Sequence, residues 1–208
     1  VRMLYMATSM AKVARYTNNQ KLEETCEAIW EDITNRKMYL TGGVGSTVHG
    51  EAFTSAYDLP LDTMYCETCA SIALVYFAFE MHKIKPDESK YLEVLEQALY
   101  NGVLSGASID GKQFFYVNPM EYHPQLSEGN PGKGHVKGER PDWLGCACCP
   151  PNFARTIMSI QQYIYTIDRN HLYINLFIGS EADIDGVKIK QVTDVPYGSE
   201  TKISLSNV

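Results

Sequence analysis

The residues with the greatest chemical potential in this chain are six cysteines, four of which form two Cys-x-x-Cys pairs. Cys66 and Cys69 make the first pair, and Cys146 and Cys149 make the second. Two such pairs are typical of a structural zinc site, because zinc takes four thiolates in a tetrahedron. Far more residues separate these pairs than the roughly 15 to 20 found in compact zinc modules. The two pairs would therefore have to meet through tertiary folding.

A second ligand set includes a carboxylate. Cys148 and Cys149 are sequence neighbours, and a disulfide between neighbours requires a strained ring, so a shared metal explains them better. Glu67 lies at the start of a predicted helix, where a negative charge is favoured, and with Cys69 it would complete a four-ligand site. In this site one thiolate could exchange its zinc bond for a bond to a substrate and act as a nucleophile.

Spacing does not choose between the two ligand sets, and they predict different functions. The four-cysteine set predicts a non-catalytic helical scaffold braced by structural zinc, whereas the set with Glu67 predicts a metalloenzyme. A third hypothesis, a thiol-redox protein using Cys66 and Cys69, lacks the βαβ pattern that such proteins show.

The composition predicts a folded protein without a nucleic-acid or membrane partner. The chain has 208 residues, is 45% hydrophobic and carries a net charge of −7, which disfavours binding to nucleic acid or to anionic lipid. Its longest apolar stretch, 72–79, is far shorter than the roughly 20 residues that span a bilayer. Clustered cysteines favour the cytoplasm. Because the chain starts at Val1 within a helical pattern, we expect an excised piece, and secretion of its parent protein stays open.

The pattern of apolar residues predicts pairs of helices followed by strands. A Gly-rich segment, 40–60, interrupts the helices and is predicted to be an ordered site loop, because it carries His49, Glu51 and aromatic residues. A β-ribbon is predicted around Asp110-Gly111, and a second turn at Asp185-Gly186. The predicted helices are 3–16, 21–38, 63–82, 90–106 and 152–165, the ribbon is 107–118, and the strands are 171–178, 187–192 and 201–205.

Several strings in this sequence resemble one known family. They are TGGVGS at 41–46, GEAF at 50–53, ETCAS at 67–71, YVNP at 116–119 and GCACCPPN at 145–152. Together and in this order they are similar to the β-L-arabinofuranosidases of glycoside hydrolase family 127, formerly catalogued as a domain of unknown function. The resemblance runs from about residue 1 to about residue 180.

The resemblance implies a mainly α fold. It implies that residues 1–169 are the C-terminal part of an (α/α)6 catalytic barrel of the six-hairpin glycosidase type. Residues 170–208 would then begin a β-sandwich domain. Because family members are several times longer than this chain, we expect the chain by itself to leave the barrel open and to be inactive. Its uncovered apolar faces would favour association, including homo-oligomers.

The resemblance also implies a retaining glycoside hydrolase with a zinc-bound cysteine nucleophile. By position, the zinc ligands would be Glu67, Cys69, Cys148 and Cys149, with Cys148 as the nucleophile and Glu51 as the general acid/base. The implied substrate is a glycan of plant type that carries terminal β-L-arabinofuranosyl residues. The zinc would keep Cys148 deprotonated, in place of the carboxylate nucleophile of most retaining glycosidases.

The remaining candidates have weaker support. The resemblance places Tyr116 beside the nucleophile, where it would contact the substrate. His49, His123 and His135 are loop residues for which bracing the loop and contacting a sugar are equal alternatives. Cys26 fits the apolar face of its helix, and Trp143 fits loop packing better than sugar stacking.

Overall fold

The computed structural model describes residues 1–168 and 171–207, which form two compact units divided between Met158 and Ser159. The pattern of apolar and polar residues accounts for both units, because it gives amphipathic helices first and alternating strands after them. The first unit contains helices α1 (Arg2–Thr17), α2 (Gln20–Arg36), α3 (Thr68–Ile84), α4 (Lys90–Gln97), α5 (Pro124–Ser127) and α6 (Cys149–Met158). The second contains α7 (Gln161–Ile164) and strands β1 (Tyr165–Asp168), β2 (His171–Ile174), β3 (Ser180–Ile184), β4 (Val187–Thr193) and β5 (Thr201–Ser206).

Helix α3 is the central element of the first unit. It packs against α1, α4 and α6, and its residues are buried on nearly every side. This burial explains the apolar run at 72–79, since a helix surrounded by other helices is hydrophobic all round. The buried face of α1 consists of Leu4 and the small residues Ala7, Ala11 and Ala14. Small side chains let α1 approach α3 closely.

Aromatic packing joins α2 to α3 and α4. The Trp30 ring is 2% exposed and makes edge-to-face contacts with Phe77 and Tyr91, at centroid distances of 5.7 and 4.9 Å. Beside them, the Glu27 carboxylate accepts hydrogen bonds from Lys90 and Tyr91. Helices α1, α2 and α3 thus share one core, and α3 begins directly after the segment 64–67.

The second unit consists of two antiparallel sheets. Strands β1 and β2 pair with each other, and β3, β4 and β5 form a meander in that order. The turn predicted at Asp185-Gly186 is confirmed: both residues have positive φ, 53° and 89°, and they join β3 to β4. The predicted boundary between residues 169 and 170 falls on two residues outside the described ranges and stays a prediction.

Several predicted elements differ from the structure. The strand predicted at 171–178 ends at Ile174, and the α-helix predicted at 90–106 ends at Gln97 and is followed by a π-helical turn, Ala98–Val103. Helix α3 begins at Thr68 rather than 63, because Cys66 has a left-handed backbone, φ 30°, that no helix continues through. The ribbon predicted at 107–118 is reduced to a single bridge between Ala107 and Phe114. The residues after Phe114 bond instead to the start of α3, where the Thr68 N–H donates to the Tyr116 carbonyl at 2.9 Å.

The helix predicted at 152–165 is shorter at its C-terminal end than the pattern suggests. Helix α6 ends at Met158, and after the short helix α7 the chain enters β1 at Tyr165. The β-branched and aromatic residues of β1 pair with β2, a partner that periodicity within one segment does not reveal. Within residues 1–168 and 171–207, no helix is both long and apolar enough to cross a bilayer.

Gly42 is predicted to be essential for stability because the backbone at the end of α4 leaves no room for a side chain there. Its φ is 76°, and a Cβ atom would lie 2.8 Å from the Ala98 backbone nitrogen. Gly111 has a similar φ, 70°, with nothing within 4 Å. We therefore expect Gly42→Ala to lower the free energy of unfolding by about 2 kcal/mol more than Gly111→Ala. Urea denaturation of both variants measures the difference, and equal losses would show that backbone strain alone is responsible.

Candidate active site and metal centre

One group of side chains in the described part of the chain has the composition and spacing of a metal site. Ligand atoms of Glu67, Cys69, Cys148 and Cys149 all lie within 4.8 Å of one another. The Cys69 sulfur is 3.7 Å from that of Cys148 and 3.6 Å from that of Cys149, and the last two are 3.7 Å apart. Glu67 Oε1 lies 3.5 Å from the Cys148 sulfur and 3.9 Å from the Cys149 sulfur.

These distances fit a tetrahedral metal ion. Bonds of about 2.3 Å from zinc to sulfur place two sulfur atoms about 3.8 Å apart, close to each sulfur pair here. The thiols are free, and their separations are far beyond the roughly 2.05 Å of a disulfide bond. Glu67 Oε2 is buried without a hydrogen-bond partner. A thiolate-rich donor set with one carboxylate is a type that zinc accepts.

The starts of two helices bring the four ligands together. Glu67 is the N-cap of α3 and Cys69 lies in its first turn, while Cys149 is the first residue of α6. Pro150 and Pro151 then occupy the first turn of α6. Proline is tolerated there because the backbone N–H groups of a first turn have no partner within the helix. Helix N-termini carry partial positive charge, so both helices favour the ionised forms of the ligands.

The ionisation of this group is strongly coupled. Burial first, and then the nearby Cys69, raise the pKa of the Glu67 carboxyl to about 8. The pKa of the Cys69 thiol is lowered to about 6, chiefly by its hydrogen bond with Cys149, and Asn152 also lowers it. Burial raises the pKa of Cys148 to about 12, although the Tyr116 hydroxyl opposes the rise. Without a cation, one thiolate forms readily and suppresses ionisation of its neighbours.

Glu51 lies on a tight hairpin turn that faces the same cleft. The turn is closed by a bridge between Thr47 and Ala52, and Glu51 itself has a left-handed backbone, φ 52°. Its Oε1 atom accepts hydrogen bonds from the hydroxyls of Tyr65 at 3.0 Å and Tyr116 at 3.2 Å. A non-glycine residue in this conformation costs about 1 kcal/mol, so the turn is held by its surroundings.

Tyr116 stands between the acid and the thiols. Its ring packs against the buried cluster that contains Cys69 and Cys149, while its hydroxyl reaches Glu51. Burial raises the Tyr116 pKa, so the hydroxyl is a hydrogen-bond donor at neutral pH. A cleft of about 660 Å³ is lined by Glu51, Glu67, Cys69, Tyr116 and Cys148, together with Val1, Arg2, Tyr5, Cys146, Pro151, Asn152 and Arg155. The structure thus brings all the predicted site residues except Cys149 onto one cleft wall, and Cys149 lies directly behind it.

Comparison with known proteins identifies the family. A model of the GH127 catalytic domain of β-L-arabinofuranosidases matches residues 1–162. The chain belongs to glycoside hydrolase family 127. It is 43% identical over 210 residues to a non-reducing end β-L-arabinofuranosidase of Bifidobacterium longum subsp. longum, an alignment that covers 99% of this chain and 32% of that protein.

Solved GH127 structures agree with the fold. A GH127 β-L-arabinofuranosidase from Geobacillus stearothermophilus superposes with a TM-score of 0.92 at 47% identity, covering 98% of this chain and 32% of that one. The GH127 β-arabinofuranosidase BT3674 gives a TM-score of 0.86 at 37% identity, covering 97% and 30%. The chain therefore spans about a third of the length of these GH127 relatives.

The other two cysteines of the Cys-x-x-Cys pairs lie outside the ligand group. Cys66 is buried against Tyr39 and Met64, and its thiol donates to the Gly45 carbonyl at 3.6 Å. Its positive φ turns the backbone between Cys66 and Glu67, so the two side chains diverge. Cys146 is exposed at the rim of the cleft, a place that the regular spacing of the pairs does not indicate.

The remaining sequence candidates occupy peripheral places. His49 and His123 are exposed, and His123 contacts Glu121. The His135 ring contacts the Thr63 carbonyl at 3.1 Å, and Trp143 is 74% exposed. Cys26, by contrast, is fully buried, on the inner face of α2.

Two further residues of the site have contacts that the sequence did not predict: Tyr65 lies outside the quoted strings, and Asn152 lies within GCACCPPN without an assigned role. Tyr65 precedes the ETCAS string and donates to Glu51, and Asn152 at the end of CCPPN interacts with Cys69 while its amide donates to Tyr5 at 2.7 Å. Position next to a ligand string was the only available signal for either residue.

We predict that Cys69→Ser removes the bound metal whereas Cys146→Ser does not. Only Cys69 lies within the ligand group, and loss of one thiolate from a tetrahedral site sharply weakens zinc binding. Elemental analysis of the purified full-length proteins should find about one zinc per chain in the Cys146 variant and almost none in the Cys69 variant. Cys66→Ser, which preserves the bond to Gly45, should also keep its metal. Metal loss from the Cys66 or Cys146 variant would instead favour the four-cysteine site.

Proposed function

We propose that this chain belongs to a retaining glycoside hydrolase that removes terminal β-L-arabinofuranosyl residues from plant-type glycans. The observation that carries the proposal is the convergence of Glu51 and Cys148 on one cleft, linked by Tyr116. The named activities of the GH127 relatives agree with it. We further propose that residues 1–169 contribute to an (α/α)6 barrel and that 170–208 begin a β-sandwich.

In this proposal Cys148 is the nucleophile. Its sulfur attacks the anomeric carbon of the sugar as the bond from that carbon to the leaving oxygen breaks, and a glycosyl thioether forms. Half-burial in the cleft leaves the Cys148 sulfur accessible, whereas Cys149 is fully buried and Cys69 is 4% exposed. Accessibility therefore favours Cys148 over the two other thiols of the group.

Glu51 is the general acid and then the general base. Its carboxyl donates a proton to the leaving oxygen in the first step and accepts a proton from water in the second, as the bond between sulfur and carbon breaks. Its side chain is 31% exposed, so water reaches it. Glu67, by contrast, is 2% exposed and held at the thiols, which suits a metal ligand better than a proton donor to substrate.

The ligand group Glu67, Cys69, Cys148 and Cys149 would hold zinc. When bound, zinc would supply positive charge that keeps the thiols ionised at neutral pH. The chain itself orients the group through the two helix starts and through the hydrogen bond from Asn152.

We predict that Glu51→Gln slows hydrolysis according to the leaving group. An activated aryl leaving group needs little protonation, whereas a sugar or alkyl leaving group needs a proton in the transition state. We expect kcat/KM of the full-length enzyme to fall about 10²- to 10⁴-fold with the poor leaving group and much less with the good one. The matched control is Glu128→Gln, an exposed residue away from the cleft. Equal losses on both substrates would indicate that Glu51 only positions the sugar.

We predict that a mechanism-based inactivator labels Cys148. The proposed thioether would be trapped on the nucleophile, and fragmentation mass spectrometry of the labelled peptide locates it. Because Cys146 and Cys149 lie on the same peptide, the Cys146→Ser variant serves as a control that should retain the label. Label on Glu51 would reverse the two roles, and zinc binding without any labelling would favour a structural metal in a non-catalytic scaffold.

A further inference from the structure

Two tyrosine hydroxyls share a single oxygen of Glu51. Tyr65 donates to Oε1 at 3.0 Å and Tyr116 donates to the same atom at 3.2 Å. The other oxygen, Oε2, faces the Arg2 guanidinium at 3.6 Å, and the side chain of Arg2 is 81% exposed. The two oxygens of the carboxylate are therefore not equivalent.

This asymmetry determines which oxygen carries a proton. A carboxyl oxygen has two lone pairs, and two donated hydrogen bonds occupy both of them at Oε1. A proton on Oε1 would require one of the tyrosine hydroxyls to stop donating and to accept instead. The two donated hydrogen bonds therefore favour Oε2 as the oxygen that carries the proton of neutral Glu51.

Tyr65 is held in place by its burial and by contacts of its ring and backbone. It is 8% exposed, and its ring makes an edge-to-face contact with Tyr116 at 5.9 Å and a tilted contact with His135 at 5.9 Å. Its backbone N–H donates to the Gly45 carbonyl at 3.0 Å, which joins the segment before α3 to the Gly-rich loop.

Glu51 needs such a support because its own segment constrains it weakly. It lies on a hairpin turn between Gly50, φ 71°, and Ala52, and a Cβ at Gly50 would meet nothing within 4 Å. The turn is thus open to solvent on that side. Tyr65 does not line the cleft of the thiols but lines an adjoining cavity with Glu51, Arg2 and Glu67, and its hydroxyl reaches that cleft through the Glu51 carboxylate.

We propose that Tyr65 is a positioning residue for the acid/base: with Tyr116 it occupies Oε1, so that Oε2 gives the proton to the leaving oxygen and later takes it from water. The proposal rests on the proposed role of Glu51. Tyr65 contacts Glu51 and the Tyr116 ring but, unlike Tyr116, does not pack against the thiol cluster, which makes Tyr65 the residue to test.

The test is Tyr65→Phe in the full-length enzyme, with kcat/KM measured for an aryl and an alkyl β-L-arabinofuranoside. This parameter reports the first chemical step, in which Glu51 acts as the acid. We expect about a 10- to 100-fold loss with the alkyl substrate, little loss with the aryl substrate, and unchanged zinc content and Cys148 labelling. Tyr39→Phe is the matched control, because that buried hydroxyl donates to the Pro60 carbonyl, outside the site.

A double-mutant cycle makes the test specific. If Tyr65 acts only through the acid, adding Tyr65→Phe to Glu51→Gln should cause no further loss with the alkyl substrate. Equal losses with both substrates, an additive loss in the double variant, or no loss at all would overturn the proposal. A Glu51→Gln enzyme without leaving-group dependence would instead overturn the role of Glu51 itself, so the two failures are distinguishable.

Discussion

Three thiols and one carboxyl group lie so close together in this protein that they cannot all ionise without a cation among them. The ligand atoms are within 4.8 Å of one another, and three of the four residues are buried. Like charges at such distances in a poorly solvated space repel strongly. Burial first, and then repulsion from Cys69, raise the pKa values of Glu67 and Cys148, whereas hydrogen bonds, chiefly that with Cys149, lower the pKa of Cys69.

The architecture around this group follows from the need to hold it in place. Helices α3 and α6 both begin at the ligands, so their partial positive charges point at the thiols. Helix α3 is buried along almost its entire length and therefore provides a rigid base for Glu67 and Cys69. The prolines at 150 and 151 favour a helix start beside Cys149. The residues that could hold a metal thus lie at or next to the starts of two helices.

The side of the cleft that carries Glu51 is built differently. Glu51 lies on a strained hairpin turn in a Gly-rich loop, and its orientation depends on hydroxyls from Tyr65 and Tyr116. Tyr116 is in turn tied to the start of α3, since the Tyr116 carbonyl accepts from Thr68. One backbone hydrogen bond therefore links the residue that contacts Glu51 to the start of α3, where Glu67 and Cys69 lie.

The sequence by itself determined the kinds of groups present and the local elements that carry them. Helical periodicity located α1 and α2 to within two residues, and the ETCAS and CCPPN strings identified the family. Tertiary structure decided which cysteines meet. Cys69 lies beside Cys149, eighty residues away in the chain, because α3 and α6 pack together, and Cys66 turns away through a positive φ. The bond from Tyr65 to Glu51 likewise depends on two loops folding together, and neighbouring residues do not specify such long-range closure.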